Sequence, residues 1–178
     1  MSLIDYLGLA AVAIIVFLIM EGVAWGAHKY IMHGFGWGWH KSHHEESEGI
    51  FEKNDLYAVV FSVLSIVLFV IAAQGHPLVG AIAVGITLYG AFYFLVHDGL
   101  VHQRWPFRNI PHRGYAKRLV QAHRLHHAVE GKDGCVSFGF LYAPPVETLS
   151  AELRQRGTVA AERRGTSRDP SQPGATIS

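Results

Sequence analysis

The chain has 178 residues, with 15 Lys+Arg against 14 Asp+Glu, 12 His and one Cys. Half of it is hydrophobic and 16% is charged, below the roughly 25% charge of soluble domains. A single Cys excludes a disulfide framework and a Cys-ligated iron–sulfur cluster or zinc ribbon, and a net charge of +1 gives no basis for nucleic-acid binding. The length fits one domain with a tail, and the histidine excess in so apolar a chain points to a membrane protein with metal chemistry.

The first apolar run is Tyr6–Met20, continued past Glu21 to Ala27. No basic residue precedes it and no cleavage site follows it, so a first membrane helix is expected rather than a signal peptide. From Leu56 to Val96 there is no Asp, Glu, Lys or Arg. The one interruption, Gln74-Gly75-His76-Pro77, is turn chemistry. The stretch therefore reads as a hairpin of two helices, Leu56–Ala73 and Leu78–Val96, each close to the length that spans hydrocarbon. Lys29, Lys41 and Lys53 lie between the first and second spans, and Arg104, Arg108, Arg113, Lys117, Arg118 and Arg124 follow the third. The positive-inside rule then puts residues 28–54 and 97–178 in the cytoplasm. Cys135–Ala143 is too short to span alone and is an alternative fourth, re-entrant or interfacial segment. The domain is expected to cover residues 1–150. Residues 151–178, rich in Arg, Gly, Ser, Thr and Pro, read as a short helix at most and then a disordered, dispensable tail.

Ten of the twelve histidines form two matching sets. His28-x4-His33 is followed by His40-x2-His43-His44; His97-x4-His102 is followed by His123-x2-His126-His127. On a helix the HxxHH positions lie within about 100° of one another, so three imidazoles share a face. In HxxxxH the two residues are about 140° apart on a regular α-helix. Either they reach around different sides of a metal cluster, or the helix takes a π-type turn there. All four groups lie on the same side of the expected spans. Imidazole is neutral at pH 7 and suits Fe, Zn, Cu and Ni. Ten ligands exceed one ion; two ions with about five nitrogens each leave room for a small molecule. His76, in the hairpin turn, and His112 fit neither set.

Other residues bear on such a site. Glu21 sits seven residues before His28, about 10 Å deeper on the same helix face, where a carboxylate is costly. It is read either as a group supporting the site or relaying protons, or as a protonated Glu bonded to a neighbouring helix. Asp98 and Asp133 are candidates to accept the second N–H of ligating imidazoles. The Gly34-Phe35-Gly36-Trp37-Gly38-Trp39 run is a candidate close-packed loop. Trp25, Phe92, Tyr93 and Phe94 are candidate linings of a path from the membrane. A metalloprotease is a poor fit because HExxH is absent, and a bis-His haem carrier would need paired histidines within the spans, of which the second has none. A metal transporter is the non-enzyme alternative, although its ligands are expected near mid-membrane.

The segments HKYIMHGFGWGWHKSHHE, NDLYAVVFSVLSI, YFLVHDGLVHQRWPFR and HRLHHAVEGKDGCVSFGFLYAPP resemble the bacterial β-carotene 3-hydroxylases, a branch of the fatty-acid hydroxylase and sterol desaturase superfamily of membrane non-haem di-iron enzymes. The likeness runs from about Ala27 to Pro145. It implies an all-α membrane protein of three or four spans under a His-rich cytoplasmic cap, in a bacterial inner membrane. It implies two non-haem irons on His28, His33, His40, His43, His44, His97, His102, His123, His126 and His127. It also implies O2-dependent C3 hydroxylation of β-ionone rings, from β-carotene through β-cryptoxanthin to zeaxanthin, and of 4-keto rings, from canthaxanthin to astaxanthin. Another lipid hydroxylase or a desaturase is the nearest rival. Hydroxylation needs two electrons, and Gly34-x-Gly36-x-Gly38 is not a dinucleotide fingerprint. The expected donor is an external ferredoxin fed by an NAD(P)H reductase. Arg104, Arg108, Arg113, Lys117 and Arg118 are its candidate dock, or else a lipid-headgroup anchor.

Overall fold

The structure is a computed structural model that describes residues 1–45, 51–104, 110–129 and 131–166. Among them there are six α-helices, two π-helical segments and no strand. Helix α1 (Leu3–Gly26) opens with a reciprocal cap: Ser2 Oγ accepts from the Asp5 amide, and the Asp5 carboxylate accepts from the Ser2 amide. It runs without a break into a π segment, Ala27–Phe35, and α2 (Trp37–His44) follows. The hairpin is α3 (Asp55–Ala72) and α4 (Pro77–Tyr93), and α4 continues into a second π segment, Phe94–Val101. Helices α5 (Gly114–His127) and α6 (Val146–Thr166) complete the fold.

Three of these rods are long and apolar enough to cross a membrane: Leu3–Phe35, Asp55–Ala72 and Pro77–Val101. Ile14, Leu18, Val63 and Ile66 on them are each more than half exposed. In water, leaving such side chains exposed forgoes about 1.5–3 kcal/mol apiece, and lipid removes that cost. The chain is an all-α integral membrane protein. Helix α4 packs against both α1 and α3. Its approach to α1 depends on Gly85: a Cβ there would lie 2.6 Å from the Ala13 carbonyl and 2.7 Å from Val16 Cβ. Small residues that let backbones close in are how membrane helices gain packing energy.

His28 and His33 lie within the first π segment, and His97 lies in the second with His102 capping its end. The Gly36 amide bonds back to the Ile31 carbonyl (2.8 Å), and the His102 amide to the His97 carbonyl (2.9 Å). These bonds skip five residues instead of four, which brings residues five apart onto one face. Of the two readings of that spacing, the π-type turn is the one the chain adopts.

Residues 131–143 carry no helix or strand and run between α5 and α6. Cys135–Ala143 is thus not a helical fourth span; among the described residues three helices qualify. Phe140 joins the core of Met20, Ala24, Ile86 and Tyr89 at the foot of the bundle. Val136 and Ala143 join Ala122 of α5 and Leu149 of α6 in a second core. Helix α6 passes through position 150, where the sequence reading ends the domain, and continues to Thr166. Leu149 and Leu153, four residues apart, face α5, and Arg156 donates to the Cys135 carbonyl at 2.7 Å. Two leucines in register outweigh the polar composition of this stretch. Residues 167–178, which the reading assigns to the disordered tail, lie outside the described residues.

Candidate metal centre

The two π segments, α2 and the C-terminal half of α5 bring all ten motif histidines to one end of the bundle. They do not assemble motif by motif. His28, His33, His40 and His126 form one group and His43, His102, His123 and His127 another, with one ring nitrogen of each member within 4.8 Å of the others'. Each group borrows one histidine from the opposite set. His97 adjoins the second group, its ring centroid 4.6 Å from that of His102 and 4.8 Å from those of His43 and His123. His44 lies between the groups: Nε2 is 3.3 Å from His40 Nε2, and its ring stacks on that of His127 at 4.4 Å.

The hydrogen bonds fix the tautomers. Nδ1 of His28, His33 and His126 donates to the carbonyls of Phe138 (3.0 Å), Lys132 (2.8 Å) and Val136 (2.9 Å). His40 Nδ1 donates to Asn54 Oδ1 (2.7 Å), His43 Nδ1 to Glu52 (3.0 Å) and His97 Nδ1 to Asp98 (2.8 Å). A ring that donates from Nδ1 presents a bare lone pair at Nε2. Yet His28 Nε2 faces His40 Nε2 at 3.0 Å, and His33 Nε2 faces His126 Nε2 at 3.1 Å. His43 Nε2, His97 Nε2 and His44 Nδ1 are buried without a hydrogen bond. Lone pairs converging in a buried space repel one another and forfeit solvation; a cation between them removes both costs. The donor set is all imidazole, which suits a transition metal. These residues fit a metal centre.

Burial keeps the rings neutral, as ligation requires. It is the leading cause that pushes His40, His44 and His127 down to about 3 and His102 to about 4. It holds His43, His123 and His126 well below their ordinary value. Neighbouring imidazoles push each of these the same way, and Arg104 adds to the effect at His102.

The remaining candidates divide. Asp98 does accept from His97 and is itself 3.7 Å from Arg104, which holds Asp55 at the head of α3 in a two-pronged ion pair (2.9 Å each). Asp133 is exposed, and the carbonyl of its neighbour Lys132 takes the His33 proton instead. The Glu21 carboxylate bonds to Tyr89 and to the amides of Phe140, Leu141 and Tyr142 rather than to a histidine. His76 and His112 are exposed. Trp37 packs on His33 and His44 at 5.3 and 5.2 Å. Sequence reasoning missed Glu52, Asn54 and the three carbonyls. Glu52 and Asn54 sit in a polar stretch where such residues are ordinary, and a carbonyl leaves no signature.

An apolar cavity of about 530 Å³ opens between α1, α3 and α4. Met20, Phe61, Ser65 and Ile86 line its length; Tyr93, Phe140 and Asp98 close it toward the histidines. The Tyr93 ring stacks on His97 at 4.6 Å and the Phe140 ring on His28 at 4.9 Å. Tyr93 and Phe94 line the cavity as expected, but Trp25 and Phe92 do not. Phe92 turns its edge to Phe17, and Trp25 packs with Tyr30 and Lys29. Of the proposed basic dock, Arg104 is committed to Asp55, Arg108 lies outside the described residues, and Arg113 and Lys117 are exposed.

The fatty acid hydroxylase family matches residues 13–144. The chain is 61% identical over 160 residues to a β-carotene hydroxylase of Pantoea ananas, covering 88% of this chain and 90% of that one. It is 59% identical over 143 residues to a β-carotene hydroxylase of Paracoccus sp. (strain PC1), covering 80% and 88%. It is 43% identical over 131 residues to a chloroplastic β-carotene 3-hydroxylase of Haematococcus lacustris, covering 70% of this chain and 40% of that one. No solved structure matches. A match over most of the chain, with two histidine groups able to hold metal set at one end of three membrane-spanning helices, makes this protein a member of the fatty acid hydroxylase family.

Proposed function

We propose that this chain hydroxylates carotenoid β-ionone rings at C3, taking β-carotene through β-cryptoxanthin to zeaxanthin, and accepts 4-keto rings, taking canthaxanthin to astaxanthin. The observation that carries the substrate is the 61% identity to a β-carotene hydroxylase over nine-tenths of that enzyme's length. The cavity supports it: an apolar slot between membrane helices admits a ring from the bilayer and ends one side chain from His28 and His97.

In this reading His28, His33, His40, His44 and His126 hold one iron, and His43, His97, His102, His123 and His127 hold the other. Bound iron supplies the O2 chemistry that breaks the ring C–H bond, with two electrons delivered from outside. The chain's own residues do the rest. Phe138, Lys132, Val136, Asn54, Glu52 and Asp98 hold Nδ1–H and so aim Nε2 inward. Phe140 and Tyr93 wall the site off from the cavity and present flat faces against which a ring can lie. Substrate filling the slot excludes water from the histidines. The electron donor is a ferredoxin fed by an NAD(P)H reductase, and the exposed Arg113 and Lys117 beside α5 attract its acidic surface. The histidine end faces the cytoplasm of a bacterial inner membrane, in keeping with the basic residues flanking α2 and α5.

The test is pigment chromatography in a host that makes β-carotene, with a ferredoxin and reductase supplied. Zeaxanthin and β-cryptoxanthin formed only with the chain, and only in air, are expected. Stable membrane expression with no new pigment would move the assignment to another lipid.

A further inference from the structure

Glu21 is a carboxylate on a membrane-spanning helix with no basic partner among the described residues. Instead, three consecutive backbone amides converge on it: Phe140 at 3.0 Å, Leu141 at 3.2 and 3.1 Å to its two oxygens, and Tyr142 at 2.9 Å. Tyr89 Oη on α4 is a fourth donor, at 2.7 Å. All four partners are donors, and a carboxylate only accepts, so the match is complete. Successive amides turned to one side form a cradle for an anion, and here the anion is the chain's own. Gly139 makes the approach sterically feasible: a Cβ there would lie 2.8 Å from Glu21 Oε1 and 2.6 Å from the Tyr142 carbonyl.

The loop so held is the one that aims the histidines. Its carbonyls at Lys132, Val136 and Phe138 take the Nδ1 protons of His33, His126 and His28, three of the four members of one group. Among the described residues no loop carbonyl takes a proton from the other group, whose His43 leans on Glu52. Glu21 and His28 lie on one continuous helical rod, about 10 Å apart along it, and grip the same loop at 140–142 and at 138. The rod therefore acts as a ruler: where Glu21 fixes the amides, the carbonyls two residues back are fixed for His28.

We propose that Glu21 is a positioning residue that latches the 132–142 loop and thereby sets the metal affinity of the His28/His33/His40/His126 group alone. This rests on the reading of the histidines as a two-metal centre, and deepens it. Outer partners of ligating histidines typically contribute 10–100-fold to metal affinity. In Glu21→Gln the side chain loses its charge and, in either flip of the amide, turns an NH2 donor toward the Leu141 amide, which donates to both oxygens of Glu21, so the cradle loosens.

The experiment is titration of metal-free, full-length protein in detergent with Co2+ alone, followed by the visible bands of bound cobalt. Wild-type protein is expected to take up two ions. Glu21→Gln is expected to weaken one of them by about 10–100-fold and leave the other unchanged. Tyr89→Phe keeps the amides paired and is expected to shift uptake by far less. Gly139→Ala pushes the carboxylate out from the loop side and reproduces the one-site loss if Glu21→Gln does not fold. A folded Glu21→Gln protein that binds both ions like wild type, or weakens both equally, overturns the latch. Wild-type protein that takes up no cobalt overturns the metal-centre reading, and the latch with it.

Discussion

The chemistry of the histidine site is settled at Nδ1. Each ring that hands its proton to a fixed acceptor is left with one orientation and one free lone pair, and six of the ten rings are held this way by named partners. Two of those partners are replaceable side chains at the head of α3, and they serve different groups: Asn54 orients His40 and Glu52 orients His43. Asn54→Ala and Glu52→Gln should therefore each lower metal affinity by about 10–100-fold, at different sites, with helical content unchanged. Metal titration against circular dichroism checks both. Buried neutral rings also set a pH dependence. In the metal-free protein His102 is pushed to about 4 and His40, His44 and His127 to about 3, while the unfolded chain takes up protons near 6.5. Below that value the unfolded state binds more protons than the folded one, so stability falls with falling pH. The loss is expected to run from about pH 6.5 to about 3, with little change above, and a series of melting temperatures reads it. Sequence spacing alone located the ten histidines, because repetition of HxxxxH and HxxHH is improbable by chance. It was silent on Asn54 and Glu52, and its candidate Asp133 lost to the carbonyl beside it, since a backbone acceptor is available at every residue.

Among the elements, the π segments and the 131–143 loop do what regular helices cannot. A π turn places His28 with His33, and His97 with His102, on one face, and the sequence spacing allowed this without choosing it. The loop joins both cores while lending carbonyls to the site. Its apolar composition suggested a membrane segment, because burial against α1 and burial in lipid select the same residues. Helix α6 was the element hardest to foresee. Its polar surface resembles a tail, and only Leu149 and Leu153 betray the packed face. A stop after residue 166 should leave stability unchanged. A stop after residue 150 removes Leu153 and the Arg156 bond to the Cys135 carbonyl, and should lower the melting temperature of the detergent-solubilised protein measurably. Equal melting temperatures for the two truncations would mean that α6 contributes no packing.

Taken whole, the molecule is three membrane rods with the ten histidines gathered at one end: His28, His33 and His97 on the rods, His102 just beyond the third, and the others on α2 and α5. The hairpin and the first span follow from hydropathy, since a run without charge has few other uses. The slot between the rods does not, because its walls and the lipid-facing surface are made of the same residue types. In the proposed reading it separates substrate access from metal binding, and so do its variants. Ser65 lines the slot from α3 and is buried; Ser65→Phe should cut zeaxanthin formation at least several-fold with metal content unchanged, which pigment analysis beside metal analysis resolves. The central claim is that ten histidines, exchanged between two motif sets, hold two irons. Iron quantification of purified full-length protein from iron-supplied cells tests it most directly, together with His126→Ala and His43→Ala, which strike different groups. Two irons per chain in the wild type, and one retained in each variant, is the expected result; a single iron in the wild type, or the loss of the same iron from both variants, would contradict it.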